Sequence, residues 1–264
     1  MTRLRFLNRW VLFAVVAGAI ALFMDHDYYY TLLNFIGIHT LLVVGLNLLL
    51  GYAGQISLGH AAFFGLGAYT SGILTATAGV NPWLALVAGL AVSGAAAFLI
   101  GIPALKLRGY YLAMATLGFG IIVYIILNEA DGLTGGPSGL SGIPALSLAG
   151  FAFNTPRRLY LLIWIILGLI LYISANLVNS RTGRAIRALH DGEAAAESLG
   201  VDTFRLKLKI FVWSALYASL AGSLYAHTLN FIGIHTLLVV GLNLLLGYAG
   251  QISLGHAAFF GLGA

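Results

Sequence analysis

The chain has 264 residues, 60% of them hydrophobic and 8% charged, with a formal net charge of +5 and no cysteine. Soluble domains carry about 25% charged residues, so an ordinary water-soluble globule is excluded, and the missing cysteines exclude disulfide scaffolds and thiolate metal centres. The 13 basic residues are scattered through turns and form no polar domain, which excludes a nucleic-acid-binding face.

No Asp, Glu, Lys or Arg occurs between Asp27 and Lys106, or after Lys209. Runs of that length read as several membrane crossings joined by short turns. Stretches such as WVLFAVVAGAIALF do not alternate like barrel strands, so helices, which satisfy their own peptide groups, are expected. The expected fold is all-α, a polytopic integral membrane protein of about eight transmembrane helices plus a truncated segment.

From the N-terminus, TM1 is expected at 10–24. Arg3, Arg5 and Arg9 precede it as in a signal peptide, but it lacks a convincing small-residue cleavage site and further spans follow, so it reads as a retained helix. TM2 follows at 32–50, TM3 at 57–78, TM4 at 83–104, TM5 at 110–127, TM6 at 159–178 and TM7 at 210–228. Lys106 and Arg108 follow TM4, and Arg181, Arg184, Arg187, Arg205, Lys207 and Lys209 lie between TM6 and TM7. Asp25 and Asp27 follow TM1, and Glu129 and Asp131 follow TM5. A cytoplasmic N-terminus gathers the basic clusters inside, with Arg157 and Arg158 as the two dissenters.

The 34 glycines include Gly59, Gly65 and Gly67 around TM3, and Gly89, Gly94 and Gly101 in TM4. Small residues let membrane helices approach closely. In GYAGQISLGH, residues 51–60, Gln55, Ser57 and His60 stand among glycines, which suits a short, partly re-entrant TM3. His60 reads as an interfacial or helix-packing histidine, with a pore or substrate role as the alternative. Asn47, inside TM2, reads first as a group that bonds across helices. After TM5, GLTGGPSGLSGIP at 132–144 has five glycines and two prolines, which suits a compact outer turn or a broken helix.

The longest charged segment, NSRTGRAIRALHDGEAAAESLGVDTFRLKLKIF, spans 179–211. Arg184, Arg187, Glu193 and Glu197 decorate Ala and Leu stretches that suit short amphipathic helices, and Gly200 interrupts them. On the residues alone this is either a docking element for a soluble partner or an interfacial helix anchored by Arg and Lys.

Five stretches in order carry a resemblance: GYAGQISLGHAAFFGLGAY (51–69), LRGYYLAMATLGFG (107–120), GLTGGPSGLSGIP (132–144), GRAIRALHDGEAAAESLGV (183–201) and FRLKLKIFVWSALYASLAGSLYAH (204–227). They resemble the inner-membrane permease subunit of branched-chain amino acid ABC transporters of the high-affinity leucine/isoleucine/valine uptake type. The resemblance implies a transporter subunit of a bacterial inner membrane, not an enzyme. EAAAESLG is similar to the EAA-type loop of importer permeases, whose coupling helix seats in a groove of the cytoplasmic ATPase. It assigns ATPase coupling to Glu193, Ala194, Ala195 and Gly200, with Arg184 and Arg187 as flanking contacts in a loop over 179–209. Gly200 permits a sharp reversal, the alanines at 194–196 let backbone approach a partner, and Glu193 is placed to pair with a partner's basic group.

The chain has no GxxxxGK[ST] phosphate loop. No cofactor is expected on it, and ATP is expected to be used by partner subunits. The partners implied are cytoplasmic ABC ATPase subunits, a homologous permease subunit and a periplasmic substrate-binding protein, the last a candidate to touch 132–144. No charged residue sits deep in a span, so a translocation path would rest on weak contacts from backbone dipoles and from Asn47, Ser57 and Thr116. Two other readings stay open: a permease for urea or a short amide, and a non-transporting scaffold from a degenerate copy.

LNFIGIHTLLVVGLNLLLGYAGQISLGHAAFFGLGA occurs at 33–68 and again, letter for letter, at 229–264. The second copy is expected to supply TM8 at 231–248 and a fragment from Ile252. Transporter repeats are normally faint and often inverted, whereas this one is identical and runs in the same direction. Residues 1–228 are therefore expected to be an incomplete permease domain and 229–264 a chimeric tail, in a chain that inserts but transports poorly.

Overall fold

The computed structural model describes residues 26–136, 139–148, 151–229 and 231–232. TM1 and the fragment from Ile252 lie outside these residues, as does TM8 beyond its first two positions.

Helix α1 (Asp27–Asn47) continues through a π turn at Leu48–Tyr52 and accounts for TM2. An extended stretch, 53–59, leads into α2 (His60–Ala76), the shortened TM3. Seventeen residues at about 1.5 Å each give roughly 25 Å, less than the ~30 Å hydrocarbon core. TM4 is α3 (Pro82–Ala104), started by Pro82 and by the Asn81 side chain, which accepts from the Trp83 N–H at 3.0 Å. TM5 is α4 (Tyr110–Glu129), followed by a single turn, α5 (Asp131–Thr134). TM6 is α6 (Pro156–Asn179), and α7 (Arg181–Asp191) and α8 (Glu193–Ser198) make up the charged segment. TM7 is α9 (Thr203–Leu229), which starts seven residues earlier than expected because Arg205, Lys207 and Lys209 are already helical. Among the described residues, five helices are long and apolar enough to cross a membrane, and α2 is not one of them.

Strands are few and short. β1 (Leu140–Ser141) pairs antiparallel with β4 (Phe231–Ile232), in register Leu140↔Ile232 and Ser141↔Phe231. β2 (Ser147–Leu148) pairs with β3 (Phe151–Ala152). The start of the expected TM8 is therefore a strand.

Helix α9 is the axis, packed on α1, α2 and α3, while α6 closes on the other side of α1. Beside the buried Phe211, Tyr217, Leu224 and Tyr225, its buried surface carries a run of small residues: Ser214, Ala215, Ala218, Ser219, Ala221, Ser223 and Ala226. Three hydroxyls of that run donate to carbonyls of neighbouring helices: Ser214 to Gly45 at 2.6 Å, Ser219 to Gly89 at 3.0 Å and Ser223 to Gly67 at 3.0 Å. A Cβ on Gly67 would fall on the Ser219 carbonyl, and one on Gly222 on the Phe64 carbonyl. Close backbone approach, sealed by serine bonds, is how membrane helices associate when lipid is as apolar as their side chains.

The outward faces are apolar: Leu84, Val87, Leu99, Ile122, Ile126, Ile165 and Leu169 are all exposed. In water such a surface would aggregate; here it is the face for lipid. Exposed Tyr28 and Tyr29 at one end, and Tyr110 and Tyr111 at the other, mark the two interfaces.

The connections sort onto two ends. One holds 53–59, 105–109 and 180–202, tied together by Arg108 against Glu193 and by His190 packed over Gly54. The other holds 130–155, where Trp83 Nε1 donates to the Ser147 carbonyl at 2.7 Å and Asn34 Nδ2 to the Pro156 carbonyl at 3.0 Å. The 132–144 segment is more than a solvent loop: Thr134 and Ile143 are buried, as is Leu146 just beyond it. The Thr134 hydroxyl bonds the Leu127 and Ala130 carbonyls and accepts from the Gly136 N–H. Arg158, a dissenter in the charge pattern, has a local use, since Nη1 donates to the Ala152 carbonyl at 3.1 Å.

Candidate functional site

At the basic end the chain leaves α6 and folds into a hairpin of two short helices. Ser180 closes the first bend: its hydroxyl donates to the Leu177 carbonyl at 2.6 Å and accepts from the Gly183 N–H at 3.3 Å. Gly183 is needed there, because a Cβ would fall on the Val178 carbonyl. Helix α7 buries Gly183, Ile186 and Leu189, three residues apart, and exposes Arg184 and Arg187. This is the amphipathic pattern expected from the sequence.

Helix α8 ends in a Schellman motif. The Val201 N–H reaches back to the Ala196 carbonyl at 3.1 Å and the Gly200 N–H to the Glu197 carbonyl at 2.9 Å, with Gly200 left-handed at φ +81. The conformation alone calls for glycine, since an added Cβ would meet nothing within 4 Å.

The alanines divide. Ala194 and Ala195 face outward, while Ala196 is buried beneath them. With Ser198 and with Leu199, which is 81% exposed, they form a small apolar face. Of the residues expected to couple, Arg184, Arg187, Ala194, Ala195 and Gly200 are exposed, and Glu193 is half-buried. Its carboxylate is engaged within the chain by Lys207, with Arg108 Nε 3.5 Å from the second oxygen. Sequence reasoning missed Leu199 and Lys207. Both were findable: one is a large apolar residue in a charged loop, the other a lysine lying one turn along from Thr203.

The second candidate region is the break before α2. Thr116 is fully buried and holds the break in place: its hydroxyl accepts from the Leu58 N–H at 3.0 Å and donates to the Ala113 carbonyl at 3.0 Å. A Cβ on Gly59 would fall on the Thr116 carbonyl, so the extended stretch lies tight on α4. Ser57 is buried beside this contact, and its hydroxyl has no hydrogen-bond partner among the described residues. Asn47 does not join them. It is exposed on α1, with its side-chain oxygen against Gly51. His60 fills the joint of α1, α2 and α9: a Cβ on Gly45 would lie 3.2 Å from its Nε2 and 3.0 Å from the Ser214 carbonyl. That is the helix-packing role.

A buried polar chain closes the opposite end. His227 Nδ1 lies 2.8 Å from the Pro144 carbonyl, and Nε2 lies 2.8 Å from the Ser71 hydroxyl. A carbonyl only accepts, so Nδ1 carries the hydrogen, and in the neutral ring Nε2 accepts from Ser71. This pins the 132–144 segment to α2 and α9.

The family model described as branched-chain amino acid transport system / permease component matches residues 28–234, a few residues into the second copy. Two curated relatives carry the name high-affinity branched-chain amino acid transport system permease protein LivM, from Salmonella typhimurium and Escherichia coli K12. Each is 38% identical over 211 residues, covering 71% of this chain and 49% of the relative. The chain thus spans about half the length of the curated relatives it matches. No solved structure matches it.

Proposed function

This chain belongs to the branched-chain amino acid transport system / permease component family, and from that premise we propose that it is a transmembrane permease subunit of an ATP-driven importer. The proposed cargo is branched-chain amino acids, as in the names of its relatives. The proposed setting is a bacterial inner membrane, with the N-terminus and the basic end in the cytoplasm.

One observation carries the reading: the α7–α8 hairpin presents Arg184, Arg187, Ala194, Ala195 and Leu199 outward at the basic end. An exposed hairpin that carries short apolar side chains together with arginines suits a soluble protein partner. We assign that partner as the cytoplasmic ATPase. The sequence holds no phosphate loop of its own, so hydrolysis falls to that subunit, and this chain contributes movement. A homologous permease subunit would cover exposed membrane faces. A periplasmic substrate-binding protein would meet the opposite end around 132–144.

Ser57 and Thr116, at the break before α2, remain the candidates nearest a path. Thr116 would act by holding the Leu58 backbone, and Asn47 would face a partner subunit. Residues 1–228 are read as the permease domain, 179–209 as its coupling loop and 229–264 as a chimeric tail.

The docking test uses the absence of native cysteine. Ala195→Cys, in membranes holding the partner subunits, is expected to cross-link to the ATPase, and Thr77→Cys at the opposite end is not. Cross-linking from Thr77→Cys with none from Ala195→Cys would overturn the assignment. Sequencing uncloned source DNA across the 229 junction tests the tail.

A further inference from the structure

The turn between α8 and α9 is tied by side chains at matched positions. Glu193 and Glu197 lie one turn apart on α8; Lys207 and Thr203 lie one turn apart on α9. They meet in antiparallel order around Gly200. Lys207 Nζ donates to Glu193 Oε1, and Thr203 Oγ1 donates to Glu197 Oε1 at 2.7 Å. The inner rung is the buried one: the Lys207 side chain is 2% exposed and that of Glu193 21%, while Arg108, reaching in from the α3–α4 connection, is 67% exposed.

We propose that Lys207 is a positioning residue, the inner rung of a two-rung staple that makes the α7–α8 hairpin and the axial helix α9 move as one body. Gly200, left-handed at φ +81, marks the bend between α8 and α9, and the backbone bonds of the Schellman motif close only that bend. The two rungs carry the tie a further turn along each helix, so that a load applied to α8 passes to α9 through side chains as well as backbone. With both rungs closed, the load reaches α9 and, through the Ser214, Ser219 and Ser223 bonds, the carbonyls of α1, α3 and α2. The choice of an ion pair fits this use. Buried pairs are poor stabilisers, and apolar replacements are often neutral, so the pair serves relative placement more than stability. Its part in ATPase coupling rests on the docking reading above; the rigid connection does not.

The test uses the full chain in lipid nanodiscs, spin-labelled at Ala195→Cys on α8 and Thr77→Cys at the far end of α2. The distance distribution is expected to be narrow with Lys207 intact. Lys207→Met and Glu193→Gln should each broaden it about twofold or split it. The double variant Glu193→Gln/Lys207→Met should broaden it too while melting close to the parent, which separates placement from stability. Arg108→Gln, at the exposed edge, should leave it unchanged.

Distributions as narrow as the parent's in both single variants would overturn the proposal. If Lys207→Met does not purify as a single species, Glu193→Gln decides by the same criterion. In the assembled transporter, Lys207→Met should keep ATPase binding yet move fewer substrate molecules per ATP hydrolysed. If the parent hairpin does not bind the ATPase, the docking reading fails while the spin-label result still stands.

Discussion

Phe35 and Ile36 lie inside a 21-residue membrane helix, whereas Phe231 and Ile232, the same pair in the second copy, form a strand against Leu140 and Ser141. Local propensity is identical, so the difference comes from the neighbours. The first copy meets α6: Trp164 Nε1 donates to the Leu33 carbonyl at 3.3 Å, Asn34 bonds the Pro156 carbonyl, and Gly37 lies against Ile163. The second copy leaves the end of α9 beside the 132–144 segment, and the partner on offer there is an unpaired strand edge. A repeat in sequence is not a repeat in structure when each seat exists once.

The largest expected effect tests that idea directly. Gly67 lies so close to Ser219 that even a Cβ would overlap its backbone. Gly67→Leu should destabilise the chain by about 3 kcal/mol or more and remove the single-species peak in size-exclusion chromatography. Gly263→Leu, the same change in the second copy, should leave that peak in place, because the seat against Ser219 is already filled. Equal damage from both would show that the copies pack alike.

Thr116→Val sharpens the comparison from outside the repeat. The break in the first copy is held by a hydroxyl the repeat does not contain, and the valine leaves the Leu58 N–H without its acceptor. A loss of about 1–3 kcal/mol is expected, read as a lower melting temperature. An unchanged melting temperature would mean that the break holds itself, and that the second copy could form it unaided.

Much of the fold was legible because charge and hydropathy are local. The long uncharged runs marked α1, α3, α4 and α6 to within a few residues, except at the start of α1, five residues early. Gly200 was legible as a reversal because a left-handed residue favours glycine. The start of α9 was not, since Arg205, Lys207 and Lys209 resemble loop residues until Lys207 is seen to pair with Glu193 and Arg205 with Asp202. Thr116 was picked out as polar within a span, but its bond to Leu58 is 58 residues away, and no spacing rule reports that. Asn47 and Ser57 looked alike in sequence, yet one is exposed on α1 and the other buried in the stretch that lies on α4 at Thr116, and such long-range packing has no local signal.

Asn34→Ala is a smaller break. It removes the bond to Pro156 that holds the first copy to α6, at an expected cost of about 1 kcal/mol. The paired change, Asn230→Ala, should cost less. A larger loss from Asn230→Ala would place the weight of the repeat in its second copy.

Deleting 233–264 should have the least effect of all. Helix α9 has one small-residue stripe, and its hydroxyls are taken: Ser214 by Gly45 and Ser223 by Gly67 of the first copy, and Ser219 by Gly89 of α3. A second identical segment cannot make those bonds while the first makes them. The cut keeps β4, and with it the pairing to β1. The shortened chain should therefore match the full one to within about 0.5 kcal/mol, as changes away from packed features do, when both are melted in the same detergent. A drop well beyond that would mean the second copy has a seat of its own, and that the first copy's contacts are not the ones its sequence requires.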